Sequence, residues 1–362
     1  MLTDVYKKLV KERTVPVDFV SYPGNPVDTT LFNQVKYTEI DTDGFKVSPL
    51  KIMHSATVHY QGRYPNSVSL RFINSFIEMI ASIENYNSDG LLYFNNNENG
   101  EFQTRSSEVI SVGLCIALSS QLFDVNKNRF RLIEGGGKRC DFYMVKDGLD
   151  YLLEAKGRKG SISSAVKDVF TKKTNYNALS PKYGIISKIP RGESPTSIEV
   201  IDPEFIPQEV PRKELIRLLL MHYSKVADVA GFWRLSELLL ERSQAIFNGV
   251  ELSLIENKQL DYDNVLKLGQ SLEVYNNDIS CKVFFPRGNN SGFRKEFDGY
   301  VSLYPMEERL IEILNSQNYE ELISYNYKEQ LLNDSDDTFM SVSNSGSILL
   351  LTPIEKLHGI SR

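Results

Sequence analysis

Residues 135–160, GGGKRCDFYMVKDGLDYLLEAKGRKG, decide how the chain is read. A run rich in aromatic and aliphatic residues, Cys140 to Val145, is followed by Asp147-Gly148 and a second such run, Asp150 to Ala155. An Asp-Gly pair between two strand-like runs is the strongest short-range signal of a β-hairpin, because a two-residue type I′ turn needs positive φ at both central positions. With Asp147 and Gly148 at the turn, partners are symmetric about the bond between them: Lys146 faces Leu149 and, further out, Asp141 faces Glu154. Opposed side chains share a sheet face with Cβ atoms about 4.5–5.5 Å apart. Lys156, two residues beyond Glu154, shares that face. The hairpin therefore brings two carboxylates and an ammonium together.

Like charges directly opposite one another destabilise a ladder, so the pair requires a compensating cation. Mg²⁺ is typically bound through one or two carboxylates and keeps several waters. Lys156 would then stand beside a water on that ion, to orient it or take up its proton. Exposed charges on an ordinary solvated hairpin are the competing reading.

At Asp141, Glu154, Ala155 and Lys156 the sequence resembles the PD-(D/E)XK nuclease superfamily, whose core motif is an Asp at the end of one strand and Glu-x-Lys on the next. The Pro often found before the Asp is Cys140 here. The resemblance implies a metal-dependent nuclease, acting first of all on DNA, with Asp141, Glu154 and the backbone carbonyl of Ala155 holding Mg²⁺ or Mn²⁺. It implies products with a 5′-phosphate and a 3′-hydroxyl, and a restriction-endonuclease-like α/β/α sandwich core over Gln103 to Asp202. In that superfamily a helix ahead of the first core strand often carries a Glu facing the metal, a position Glu108 matches. Some branches have Gln-x-x-x-Tyr on the helix after Glu-x-Lys; Lys172 and Tyr176 have that spacing, with Lys in place of Gln.

The surrounding pattern agrees with such a core. Thr104 to Phe123 reads as a helix with Glu108, Ser111, Cys115 and Ser119 as one small or polar stripe. An acidic residue in a first helical turn is also favoured by the macrodipole alone. Arg129 to Glu134 reads as the first strand, with Glu134 a rival acidic ligand, and the Gly135-Gly136-Gly137 run is no P-loop because no GKS or GKT follows. Ser161 or Ser163 can cap a helix through about Tyr176, and Tyr183 to Ile189 and Ser197 to Ile201 read as the remaining strands. Lys138 and Arg139 before the hairpin, Arg158 and Lys159 after it, and Lys172 and Tyr176 on the next helix are candidates for contact with phosphates.

Outside this core the reading is coarser. The flanks divide into an N-terminal α+β region, residues 1–100, and a C-terminal α+β domain, residues 206–362, around a core of residues 101–205. In the first, Val47 to Tyr60 reads as extended and Pro65 opens a helix to Ile83; the Asn-rich stretch from Asn85 to Gly100 reads as a loop. Pro203 to Pro211 is a linker, followed by helices over Lys213 to Val229 and Gly231 to Asn248, where Trp233 is read as a packing anchor rather than a base-stacking platform. Two strands then flank a basic loop, residues 286–296; helices over Met306 to Ser316 and Tyr319 to Leu332 precede a last hairpin around Asn344-Ser345-Gly346.

Composition sets the class. A chain of 362 residues, 41% hydrophobic and 24% charged, is ordinary globular material with room for two or three domains. Its apolar runs fall short of the roughly 20 residues that span a bilayer, and its first residues are too charged for a secretory signal; a cytoplasmic location is expected. Three scattered cysteines make neither a disulfide framework nor a zinc cluster, and four histidines lack ligand spacing. The net charge of −6 conceals a basic segment: Lys127 to Arg191 holds 15 Lys and Arg against 6 Asp and Glu. A basic segment inside an acidic protein is an electrostatic footprint for a polyanion.

The expectation is thus an endodeoxyribonuclease of restriction or antiphage defence, working as a homodimer or with a helicase or ATPase partner subunit, since no ATPase motif is present. The alternative is a non-catalytic nucleic-acid-binding or assembly subunit of a larger defence or DNA-processing complex.

Overall fold

The hairpin forms in the register that its turn dictates. In this computed structural model, Phe142 pairs with Leu153, Met144 with Tyr151 and Lys146 with Leu149, and Asp147 and Gly148 turn the chain at φ 51° and 76°. The structure describes residues 7–20, 27–59, 90–94, 100–133, 140–158, 160–175, 182–190, 194–201, 208–255, 259–261, 269–274, 279–284, 295–297, 300–333 and 338–353. These fall into two compact units, divided along the chain between Val210 and Pro211.

The first unit runs β1 (Arg13–Val15), β2 (Val17–Val20), α1 (Gln34–Asp43), β3 (Phe45–Val47), α2 (Pro49–His59), α3 (Gly100–Leu122), β4 (Phe130–Leu132), β5 (Phe142–Lys146), β6 (Leu149–Arg158), α4 (Ser163–Asn175), β7 (Lys182–Lys188), β8 (Ser197–Ile201) and β9 (Gln208–Glu209). Its mixed sheet has the order β2-β8-β7-β6-β5-β4, with β9 pairing the start of β6. β6 and β7 are parallel, which requires a crossover, and α4 supplies it. β7 and β8 are antiparallel, and β2 lies parallel to β8 from Val17↔Ile198 to Val20↔Ile201. The architecture is α/β.

Register assigns the faces. Glu154 pairs with Gly184, Lys156 with Ile186 and Arg158 with Lys188, so these six stand on one face. On it α4 packs Ala165 and Val169 against Ile186 and Ile201. Gly184 makes room for that helix, since a Cβ there would lie 2.6 Å from Val169 Cγ1. Gly157, with the opposite parity, lies against Ser107 and Ser111 of α3, so helices cover both faces.

Three expectations are corrected. The N-terminal residues are not a region apart: β2 is the edge strand of the same sheet, so the described residues of the expected flank belong to the first unit together with the core. Residues 49–59 are helical rather than extended, because Pro49 sits at a helix start where its missing N–H costs nothing and the Ser48 hydroxyl accepts the Lys51 N–H at 3.2 Å. That helix buries Ile52 and Met53 and crosses α3 so closely at Gly113 that a side chain there would overlap the Ile52 carbonyl. In the second unit the helix expected over Tyr319 to Leu332 stops at Ser324, and Gln330–Asn333 is a strand instead. Tyr325 takes extended backbone there, and its hydroxyl donates to Glu307 Oε2 at 3.1 Å. The helix expected from Pro65 to Ile83 lies outside the described residues, as does most of the Asn-rich stretch.

The second unit opens on α5 (Arg212–Val229) and α6 (Trp233–Phe247). Trp233 is 44% exposed and shares one face of α6 with exposed Leu240 and Phe247 at seven-residue intervals, so it is less of a packing anchor than expected. There follow β10 (Gly269–Val274), β11 (Ile279–Phe284), β12 (Lys295–Phe297), β13 (Tyr300–Leu303), β14 (Met306–Glu307), α7 (Glu308–Asn315), α8 (Tyr319–Ser324), β15 (Gln330–Asn333), β16 (Phe339–Val342) and β17 (Ile348–Pro353). They form a sheet of order β10-β11-β14 and another of order β12-β13-β17-β16-β15. β16 and β17 are the expected last hairpin. Glu307 caps α7 by accepting the Arg309 and Leu310 N–H groups at 3.0 and 2.8 Å, and buried Arg242 donates to the Leu314 carbonyl at its other end at 2.6 Å.

His222 on α5 yields a pH prediction. Burial, helped by the nearby charge of Lys225, holds its imidazole down at about 3. Between that value and the ordinary one the unfolded chain binds the extra proton and the folded chain does not, so stability falls as pH falls. Across that window stability is expected to drop by up to about 1.4 kcal/mol per pH unit through this group. Denaturant unfolding of wild type and His222→Gln at pH 7 and pH 4.5 measures it: the variant is expected to lose less stability than wild type on acidification.

Candidate active site

Asp141 sits where β5 parts from β6. Its N–H donates to the Leu153 carbonyl at 2.9 Å and its carbonyl accepts the Ile133 N–H at 2.8 Å, so the backbone at Asp141 ties the end of β4 and the start of β5 to the middle of β6. Two residues further along β6 the ladder is carried by a side chain: Asp141 Oδ2 accepts the Ala155 N–H at 3.0 Å. The carboxylate is thus fixed against β6 between Glu154 and Lys156.

Glu154 is 1% exposed beneath α4, and its Oε1 lies 2.6 Å from Lys156 Nζ. Its Oε2 is buried and accepts no hydrogen bond from the described residues. Removing one partner of a buried ion pair is costly because the other charge is left uncompensated, so Glu154 and Lys156 hold one another in place.

Asp141, Glu154 and the Ala155 carbonyl are hard oxygen donors, the set that suits Mg²⁺ or Mn²⁺. Burial first, then the charge of Asp141, push the Cys115 thiol far above its ordinary range, with Ser119 opposing and Glu154 adding less. Cys140, next to Asp141, is buried. Among the described residues no three His, Cys, Asp or Glu side chains gather as a metal-holding group.

Of the expected site residues, the structure brings Asp141, Glu154, Ala155 and Lys156 together, with Arg158 next along the same face. Glu108, the ninth residue of α3, is exposed on a helix that covers the other face of the sheet, while Ser111, Cys115 and Ser119 of its stripe are buried. Lys138, Arg139, Lys159 and Tyr176 lie outside the described residues, as do Glu134, the Lys172 side chain and most of the basic loop near residue 290. Sequence reasoning takes Gly157 and Arg158 as the start of a flexible basic turn, whereas β6 runs on through Arg158 and Gly157 is a close contact with α3; it missed Gly184, Asp168 and Lys188. The signal for Gly157 was present: a Gly directly after Glu-x-Lys, and two serines four residues apart on the preceding helix. Gly184, Asp168 and Lys188 depend on parallel pairing across α4, which has no local signature.

Comparison with protein-family models, with curated proteins and with solved structures found no match. No helix among the described residues is long and apolar enough to cross a membrane.

Proposed function

We propose that the protein is a metal-dependent nuclease, an endodeoxyribonuclease of restriction or antiphage type, whose first unit has a restriction-endonuclease-like α/β/α core. The observation that carries this reading is the junction itself: Asp141 pinned to the Ala155 N–H, directly across from Glu154, with Lys156 Nζ 2.6 Å from Glu154 Oε1. Asp141, Glu154 and the Ala155 carbonyl would hold Mg²⁺, with Mn²⁺ able to substitute. The bound ion would supply Lewis-acid polarisation of the scissile phosphate and a lowered pKa for water. Lys156, relieved of Glu154, orients the attacking water and offers its ammonium to the charge that develops on the phosphate. Asp141 keeps its carboxylate in place through the Ala155 N–H while the substrate approaches. Glu108 does not gather with this pair as a metal-holding group among the described residues, and it has no part in this reading.

The burial of Glu154 under α4 favours one other reading, a non-catalytic nucleic-acid-binding or assembly module in which Glu154 and Lys156 are a structural ion pair. Incubation of the protein with supercoiled plasmid, single-stranded DNA and RNA, in Mg²⁺ or Mn²⁺ against an EDTA control and beside Glu154→Ala, separates the two. Metal-dependent nicking or linearisation lost in Glu154→Ala is expected. No cleavage of any of the three substrates by wild type, with Glu154→Ala merely less stable, would favour the module.

A further inference from the structure

Beyond Lys156 the face of the sheet that carries the site continues into two more cations. Arg158 is two residues along β6, displaced by about 6.6 Å, and Lys188 is its register partner on β7. Adjacent strands are about 4.8 Å apart, so the guanidinium and the ammonium can meet on one anion. Arg158 is 33% exposed and Lys188 is exposed. A displacement of that size along β6 is on the order of one nucleotide of backbone.

Each cation has an acid near it. Arg158 Nη2 lies 3.4 Å from Asp168 Oδ2 on α4, and its Nη1 donates to its neighbour's carbonyl, Gly157 O, at 3.1 Å. Glu199, diagonal to Lys188 across β7 and β8, is held above its ordinary range by burial and by Asp18, with Lys188 opposing that shift. The Arg158 contact with Asp168 is longer than the roughly 2.7–2.9 Å of a strong charge-assisted bond, and Asp168 is 57% exposed. Such a contact is weak and screened, so a phosphate can displace it.

We propose that Arg158 and Lys188 together seat the backbone phosphate next to the one at Asp141 and Glu154, and that Asp168 occupies Arg158 until a polyanion takes its place. This rests on the reading of the protein as a nucleic-acid enzyme. Asp168 is a positioning residue: it holds the Arg158 side chain over the face and is exchanged for the phosphate. The bidentate guanidinium supplies direction and the Lys188 ammonium a point charge.

The test is binding of fluorescein-labelled single-stranded and duplex oligodeoxynucleotides, followed by anisotropy in EDTA so that no cleavage intervenes. Asp168→Asn is expected to tighten binding about two- to fivefold, the weight of one exposed ion pair. That gain is expected to vanish in an Arg158→Gln background. Lys188→Gln is expected to lower the slope of log K against log salt concentration by about 0.7–0.9, the loss of one phosphate contact. Asp147→Asn, at the hairpin turn and the far end of β6, removes the same charge where Asn tolerates positive φ and serves as the control. The proposal is overturned if Asp168→Asn matches Asp147→Asn, if its gain survives without Arg158, if the Lys188→Gln slope is unchanged, or if wild type binds neither oligonucleotide. A protein that follows the expected binding pattern yet cleaves nothing would retain this phosphate seat and lose the nuclease reading.

Discussion

Asp141→Asn is expected to lower metal-dependent cleavage by about 10³-fold, the scale of a few kcal/mol of transition-state charge stabilisation, while the protein stays folded. The amide oxygen of Asn can still accept the Ala155 N–H that Asp141 Oδ2 accepts at 3.0 Å, so the junction of β5 and β6 survives and the charge alone is removed. Asp141→Ala is a different experiment. It leaves the Ala155 N–H without its acceptor, which costs about 1–3 kcal/mol where no water reaches it, so its loss of activity mixes folding with chemistry. Lys156→Ala is expected to lose about 10²–10³-fold in rate, as for removal of one donor to developing charge. Its metal affinity is expected to be kept or raised, because the Glu154 carboxylate no longer shares Oε1 with an ammonium. Single-turnover cleavage beside Mn²⁺ binding measures the split. Equal loss of both properties in Lys156→Ala would mean that the lysine acts only as a strut for Glu154.

Gly157→Ala is expected to destabilise the first unit by about 1–3 kcal/mol, the usual cost of overpacking, with Tm lower by several degrees. A Cβ at Gly157 would lie 2.5 Å from the Ser107 carbonyl oxygen and would overlap the Ser111 hydroxyl, which itself donates to that carbonyl at 2.5 Å. A flexible side-chain tip could yield, but the Ser107 backbone cannot move without shifting α3. Ser111→Ala in the Gly157→Ala background is therefore expected to recover only part of the loss. Because Gly157 follows Lys156 directly, displacement of α3 from β6 also disturbs the site, and cleavage is expected to fall further than the folded fraction. Thermal unfolding of the two variants, with activity normalised to folded protein, measures both effects.

The sequence carried the site further than it carried the fold. The Asp147-Gly148 turn sets the β5–β6 register through local φ preferences, so the opposition of Asp141 and Glu154 could be read from a few residues. The strand Ser197–Ile201, apolar at alternate positions, and the bulk of α3 were legible because their apolar pattern is local too. What was hidden depends on distant partners. α1 buries Ile40 as its core residue and so has no helical period to read; its signals were the cap Asn33, which accepts the Lys36 N–H at 3.1 Å, and Gly44 at φ 80°. β2 lies in a proline-interrupted flank that suits strands and loops alike, and its place is fixed only when Val17 to Val20 find β8, nearly two hundred residues later. The pairing of Arg158 with Lys188 exists only after α4 has crossed over.

The central claim is a metal held between Asp141 and Glu154, and calorimetric titration of Mn²⁺ into wild type, Asp141→Asn and Glu154→Gln tests it most directly. The account predicts saturable binding by wild type that is weakened at least about tenfold in each variant, as the loss of one of two charged ligands requires. Wild type that takes up no Mn²⁺, or variants that bind it as wild type does, would contradict it and leave Glu154 and Lys156 as a structural ion pair.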